Sequence, residues 1–482
     1  MTVPASSAAA LGVDVGTTNT KVVLAAFGGD GVVHEQRGRT MPTPATGAEL
    51  RDAVLAAIAE VAEGQRDRIV GIGIASMAET GALIGPDGEP RGSLLRWTRG
   101  DTRAADRLVV AAGAPELYAA TGVPVAAKSP LAHWLTLADE DDPRLHGARW
   151  SGVDALVAEA LTGEAVTDRT LAARTMAYRI DGTAESFDPD LLALAGLTPD
   201  RFPRVSPPGD AAGALSAHAA AALDLPAGLP VVVAGHDHAV GAWAAGVREP
   251  GQAADSVGTA EALYRVAADI PREEARRQGM SIAPSVDGRH RSLLAGNPTA
   301  GALVEWALRE LLPGVEPTAA LRSAEAHAGR PIEAFLLPYL RGRQSPLPDP
   351  GARVRAVPAL PAEPGAALAA VFAGLALHLA WLDAEQTRIL GPRHPDVTLL
   401  GGAAAANGAW ARIKNRVLPG RLRPVAAGEV VAVGAAMLAA HRITGITTTL
   451  PLGSPEDAAT TGDPALLERF VAAATHHEKE PA

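Results

Sequence analysis

The stretch that most constrains this chain is Leu11–Leu24, LGVDVGTTNTKVVL. Two short apolar runs, Leu11–Val15 and Val22–Ala26, alternate as strands do. Gly16, Thr17, Thr18, Asn19, Thr20 and Lys21 join them. Such a turn must be a tight hairpin lined with polar groups and one cation. Gly16 has no side chain, so backbone N–H groups there can approach an anion such as a phosphate. Asp14 lies on the strand just before the turn, where a carboxylate can hold Mg²⁺ directly or through water. An ordinary polar hairpin has the same composition, and both readings stand at this point.

At 482 residues the chain exceeds what one core serves, so two or three domains are expected. Its 43 lysines and arginines against 54 acidic residues give a net charge of −11, which argues against a general nucleic-acid surface. There is no cysteine, which excludes disulfides and thiolate chemistry. The first residues lack a basic segment followed by a long apolar run, and no stretch has eighteen uninterrupted apolar residues. A soluble cytoplasmic protein with neither a membrane nor a nucleic-acid partner is expected.

Ala48–Glu63 has apolar residues at helical spacing, and Ile69–Ala75, IVGIGIA, reads as a buried strand. The polar loop Ser76-Met77-Ala78-Glu79-Thr80 leaves the end of that strand, where α/β proteins place ligands. Residues 104–225 read as mostly helical and rich in alanine and leucine, broken by prolines. Pro230–Ala234, PVVVA, is a second buried strand and ends in Gly235-His236-Asp237-His238, after which a helix starts. Asp237 thus stands at a strand-to-helix corner, as a helix-capping aspartate also does. A His-x-His metal pair is a further reading of the same residues, although no third ligand is evident nearby.

Arg248-Glu249-Pro250-Gly251 looks like a domain junction, and beyond it the opening pattern recurs. Strand Ala253–Val257, turn Gly258-Thr259-Ala260-Glu261 and strand Ala262–Val266 form a second Gly-Thr hairpin. Two such hairpins, one opening each half, suggest duplicated halves that face a shared nucleotide. Asn297–Trp306 is a glycine-containing loop entering a helix, suited to phosphate or ribose. Ala366–Leu390 is a long apolar-periodic helix. Asp396–Gly402 is a strand ending in two glycines, followed by Asn407-Gly408-Ala409-Trp410 and a helix, and Val430–His441 is a last helix.

In this order, DxGTTxTK, strand–GHDH, strand–xGTA, the AG loop, LLGGxxxNxxW and GAAxLA, the motifs resemble the FGGY carbohydrate kinases over about residues 10–445. The resemblance implies an α/β fold of two ribonuclease H-like (actin/hexokinase-type) domains with the active-site cleft between them. The expected divisions are 1–247, 248–450 and a tail, 451–482. It implies transfer of the γ-phosphate of ATP to a hydroxyl of a small sugar or polyol. A ketopentose such as xylulose is the expected acceptor, with fuculose, gluconate, erythritol or another polyol as alternatives.

By position, the resemblance puts Asp14 near Mg²⁺. It puts Gly16, Thr17, Thr18 and Lys21 on the first phosphate hairpin and Gly258 and Thr259 on the second. Gly301 and Glu305 match the loop–helix that contacts nucleotide, and Gly402, Ala403 and Asn407 match the adenosine segment, with the spacing shifted by about one residue. Asp237 matches the catalytic aspartate, and a carboxylate placed there can take the proton that an attacking alcohol sheds. The sugar loop reads Ala78 and Glu79 where glycerol kinases carry Arg-Glu and xylulokinases Met-His, which speaks against glycerol and puts xylulose in doubt. Glu79 can accept hydrogen bonds from sugar hydroxyls. Trp97 and Arg103 match a W-x-D-x-R region with stretched spacing, Trp97 stacking on a sugar or serving as core. His236 and His238 flank the base within reach of sugar hydroxyls. A homodimer is among the expected assemblies. Arg248–Gly251 and Gly434 are hinge candidates for cleft closure. The competing classes are an actin/Hsp70-type ATPase, which should lack the base and the sugar loop, and a silent sugar-binding regulator, which would carry an added DNA-binding module.

Overall fold

Strand β1 (Ala9–Val15) is buried along its whole length because it lies inside a sheet covered on both faces. In the computed structural model, which describes residues 8–28, 33–182, 185–207, 210–401, 407–445, 447–454 and 460–476, β1 runs antiparallel to β2 (Asn19–Phe27). Strand β3 (Val33–Pro42) adds antiparallel to β2. Helix α1 (Gly47–Ala62) follows, capped by Thr46, whose hydroxyl accepts from the Glu49 N–H. Strand β4 (Ile69–Ser76) pairs parallel to β1. After helix α2 (Val153–Thr162) come the short strand β5 (Gly213–Ala214) and β6 (Pro230–His236), which lies parallel to β4 and leads into helix α3 (Asp237–Ala244). The sheet order is β5-β6-β4-β1-β2-β3.

One face of this sheet packs on α1 and α2 through Leu50, Val54, Ile58, Leu156 and Leu161, all buried. This is the amphipathic stripe that the spacing of 48–63 predicts. The sheet's parallel centre puts the ends of β1, β4 and β6 side by side, where Asp14, Ser76 and His236 emerge. The loops that carry chemistry are therefore gathered by the strand order.

The second half contains β7 (Ala253–Val257) and β8 (Glu261–Ala267), paired antiparallel with Val257 opposite Glu261. With β9 (Arg291–Asn297), β10 (Asp396–Leu400) and β11 (Arg421–Pro424) they are hydrogen-bonded in the order β9-β8-β7-β10-β11. Three helices belong here: α4 (Ala300–Glu310), α5 (Pro364–Leu390) and α6 (Gly408–Val417). By length and mean hydropathy, 1.9 over its most apolar window, α5 is the one helix among the described residues that would suit a bilayer. Since 89% of that window is buried inside the protein, it is a core helix here.

Helix α7 (Val430–Thr444) returns to the first sheet and covers its other face. The contact is backbone to backbone: a Cβ built on Gly12 would lie 1.9 Å from the Ala432 carbonyl oxygen, and one on Gly73 would lie 2.0 Å from that of Ala435. The glycines of IVGIGIA thus let a helix, not a further strand, sit directly on the sheet. Gly434 is a packing glycine of the same kind, its Cα turned to Ala244 and Val240 of α3, and it lies inside a continuous helix instead of at a hinge.

The described residues fall into two compact units. Unit 1 draws on Met1–Gly246, Ser281–Ser292 and Glu429–Pro451, and unit 2 on Val247–Met280, Leu293–Gly428 and Leu452–Ala482. Sequence divisions at 247 and 450 do not anticipate that α7 and residues 281–292 pack with unit 1. An Ala-rich helix carries no local sign of the sheet it will cover.

Unit 2 buries a charge cluster at its second hairpin. Lys414 of α6 is ion-paired to Asp255 (2.5 Å) and to Glu261, and all three side chains are fully buried. One lysine thus ties together the two strands that flank Gly258–Ala260. Burial first, then Asp255, pushes the Glu261 carboxyl up to about 7, with Lys414 opposing. Replacing Lys414 by Met strands two buried carboxylates and should cost about 3–5 kcal/mol in urea unfolding; a loss under ~1 kcal/mol would mark the pair as no stronger than a surface one. The native state holds the Glu261 proton more tightly than the unfolded chain does. Its contribution is therefore complete below the unfolded value and is lost as pH rises through about 7. Glu261→Gln should flatten that fall in the thermal midpoint between pH 5 and 8, and an unchanged pH slope would contradict the assignment.

Candidate active site

The first hairpin closes with the Gly16 N–H donating to the Asn19 carbonyl (3.1 Å), and a Cβ on Gly16 would stand 2.7 Å from that oxygen. Only glycine fits a turn this tight. Asp14 and Lys21 are cross-strand partners, and Lys21 Nζ pairs with Glu429 Oε2 at 2.6 Å, Glu429 being the residue that leads into α7. Burial pushes the Asp14 carboxyl up to about 7; Asp237 adds to the rise, Lys21 opposes it and Glu429 contributes a little more. Three carboxylates thus share one ammonium, and Asp14 Oδ1 is buried without a hydrogen-bond partner. An excess of negative charge around an orphaned carboxylate oxygen fits a divalent cation bound through oxygen.

Asp237 is the first residue of α3, and the cap position belongs to His236, which makes no side-chain cap bond. The Asp237 carboxylate thus stands one position past the cap. Its Oδ1 accepts from the His238 backbone N–H (2.7 Å) and lies 3.2 Å from His236 Nε2 and 3.9 Å from His238 Nε2. The His236 N–H donates to Thr170 Oγ1 at 2.7 Å, which fixes the corner. Burial, then His238, Arg174 and Lys128, hold the His236 imidazole well below its ordinary pKa, so the ring is neutral. One ligand atom from each of His236, Asp237 and His238 lies within 4.8 Å of the others, so the third donor for a His-x-His pair is the aspartate between them.

The loop after β4 is built differently from a solvated polar loop. Glu79 has φ 65° and a buried side chain. Its Oε1 pairs with Arg174 Nη2 (2.6 Å) and its Oε2 with Lys128 Nζ (2.9 Å). Burial alone would raise the Glu79 carboxyl, but Arg174 and Lys128 outweigh it and hold the group below its ordinary value. Glu79, read from the sequence as able to accept hydrogen bonds from sugar hydroxyls, is thus already engaged by two cations. Ala78 is buried beside it.

Trp97 is half-buried and joins two loops. Its backbone N–H donates to Thr80 Oγ1 (3.1 Å) and its indole Nε1–H to Thr17 Oγ1 (2.8 Å). Arg96 donates to the Thr17 carbonyl (3.2 Å), and Lys128 Nζ stands 5.6 Å from the Trp97 ring centroid. Thr18 is exposed at the hairpin tip. Arg103 is not brought to this group: its side chain is 83% exposed and forks onto Asp101, the cap of its own helix.

In unit 2, Gly258 and Thr259 are exposed at the second turn. Gly301 donates its N–H to the Gly258 carbonyl (3.2 Å), and a Cβ on it would lie 2.4 Å from that oxygen, so the start of α4 and the hairpin are packed together. Glu305 is exposed on α4. Asn407 caps α6, its Oδ1 accepting from the Trp410 N–H at 3.2 Å. Gly402 and Ala403 lie outside the described residues.

Residues that the sequence did not single out are Glu429, Arg174, Lys128, Arg96, Thr170 and Lys414. Each acts on a partner remote in sequence, Arg174 on one 95 positions away and Lys414 on one 159 away. No local pattern marks them.

Residues 9–244 match the FGGY family of carbohydrate kinases, N-terminal domain. The chain is 28% identical over 448 residues to a xylulose kinase of Streptomyces rubiginosus, covering 90% of this chain and 88% of that one. It is 24% identical over 366 residues to a gluconokinase of Bacillus subtilis, covering 71% and 70%. In fold it is similar to the crystal structure of a xylulose kinase from Rhodospirillum rubrum, with a TM-score of 0.80, 23% identity and coverage of 96% and 97%. Matched from β1 to the end of α3, residues 9–244 belong to the FGGY family of carbohydrate kinases, phosphotransferases that act on a sugar hydroxyl.

Proposed function

We propose that this protein transfers the γ-phosphate of ATP to an outer hydroxyl of a small sugar, with Asp237 as the base. The observation that carries the reading is the placement of Asp237. It stands at the end of β6 beside Asp14, part-exposed, at the first helical position of α3 and not at the cap. The hydroxyl that attacks phosphorus must lose a proton, and Asp237 accepts it. The His238 N–H and the neutral His236 ring orient the carboxylate. Asp14, with Asp237 and Glu429 close by, would hold Mg²⁺, which supplies charge neutralisation at the phosphates when bound. In unit 1, Lys21 and the backbone of Gly16–Thr18 are assigned to phosphate contact; in unit 2, Gly258, Thr259 and Gly301 are assigned to nucleotide contact. Glu305 and Asn407 are assigned to nucleotide contact, as are Gly402 and Ala403.

The acceptor binds at the loop 76–80, with Trp97, His236 and His238 about it. Xylulose kinase and gluconokinase are both among the relatives, which supports a small sugar of five or six carbons as acceptor. A ketopentose such as xylulose is one reading, and a sugar acid is the other. A cytoplasmic location accords with both.

Asp237→Asn should lower sugar-dependent ADP formation by ~10²–10⁴-fold while leaving nucleotide affinity within about twofold. Near-normal turnover would reduce Asp237 to a structural residue. Trp97→Phe removes a single hydrogen bond to the phosphate hairpin and should raise the KM for ATP by roughly 2- to 10-fold. Steady-state kinetics in which only the sugar KM moved would place Trp97 on the sugar alone.

A further inference from the structure

The two ends of the unit 1 site carry opposite charge imbalances. Around Asp14, three carboxylates share Lys21, an excess that a divalent cation corrects. Around Glu79 the imbalance is reversed, with one carboxylate shared by Arg174 and Lys128. The other titratable groups there do not repair it. His236 is neutral, and burial lowers His133 as well, so neither ring supplies charge. Asp237 is held by the His238 N–H on the Asp14 side of the corner.

The hydrogen bonding is incomplete in the same place. The Arg174 side chain is 6% exposed, and only its Nη2 meets Glu79; its Nε and Nη1 are buried without a partner. His133 Nε2, within the field of Glu79, is also buried and unpartnered. A guanidinium left with three unmatched N–H bonds is costly, and the strongest acceptor for them is a carboxylate oxygen. Lys128 is the more exposed of the two cations and lies over Trp97, whose backbone N–H is bonded to Thr80 of the loop 76–80.

We infer that the acceptor of this kinase is a sugar acid, an aldonate whose carboxylate is received by Arg174 and Lys128. The inference rests on the kinase reading above. Glu79 then acts as a positioning residue. It keeps both cations in place when no substrate is present, which explains why a buried carboxylate stands in a strained backbone conformation at the acceptor loop. A neutral ketose or polyol offers Arg174 only hydroxyls. Hydrogen bonds between charged partners favour the acid by roughly 10- to 150-fold over a neutral acceptor.

The test is a coupled ADP-release assay on the full chain with Mg·ATP. D-gluconate is set against D-glucitol, D-xylonate against D-xylitol, and D-xylulose is added. Each pair differs only in replacing a terminal carboxylate by an alcohol. The expected result is a kcat/KM at least 10-fold higher for the acid of each pair, with Arg174→Met closing that gap. Neutral sugars turned over as well as or better than the acids overturn the assignment and leave the kinase reading intact. ADP release stimulated by no sugar at all overturns the kinase reading, and this inference falls with it. Should Arg174→Met fail to fold, thermal shift of the wild-type protein decides. D-gluconate should raise the midpoint where D-glucitol does not, and equal shifts overturn the proposal.

Discussion

The carboxylate of Asp14 ends a strand that water does not reach, and the rest of unit 1 answers to that fact. β1 is buried because α1 and α2 cover one face of the sheet and α7 the other. Burying the strand secures the core, but it also carries an ionisable group inside with one oxygen unmatched. Desolvation of a carboxylate is expensive unless charge or hydrogen bonds return what water supplied. Lys21 returns part of it, and α7 brings Glu429 to hold that lysine. The same helix that seals the sheet therefore sets the charge at the end of β1.

Three ion clusters, each with at least one buried carboxylate, show three outcomes of this one cost. At Lys414 a single ammonium meets two carboxylates in a closed site, the acid Glu261 is pushed toward its protonated form, and the result is structural. At Asp14 the excess is negative beside an exposed hairpin, which suits a metal–phosphate ligand. At Glu79 the excess is positive beside the acceptor loop, which suits an anion. Net charge of a cluster, read with its exposure, thus separates a brace from the two proposed ligand sites.

What the sequence made legible were the local devices. Gly16 and the run of hydroxyls declared a tight turn, the alternation of Leu11–Val15 and Val22–Ala26 declared its strands, and GHDH declared a strand-to-helix corner. The order of these motifs also carried the family and the two-sheet α/β fold. Interactions between distant residues were not legible. Arg174 and Lys128 lie in a stretch that reads only as Ala/Leu-rich helix, so Glu79 looked like a loop residue free to bind hydroxyls. Arg103 fitted a motif by type, yet its nearest carboxylate, Asp101, claims it locally. Gly434 looked like a hinge because glycine permits rotation, whereas here it permits contact between helices.

The opposed charges of the two clusters are tested most directly by anomalous diffraction from crystals of the full chain grown with Mn²⁺, ADP and D-gluconate. The account predicts a manganese peak at coordination distance from Asp14 and sugar-acid density with its carboxylate on Arg174 and Lys128. Manganese held by His236, Asp237 and His238 instead, or a gluconate carboxylate turned away from Arg174, would contradict it.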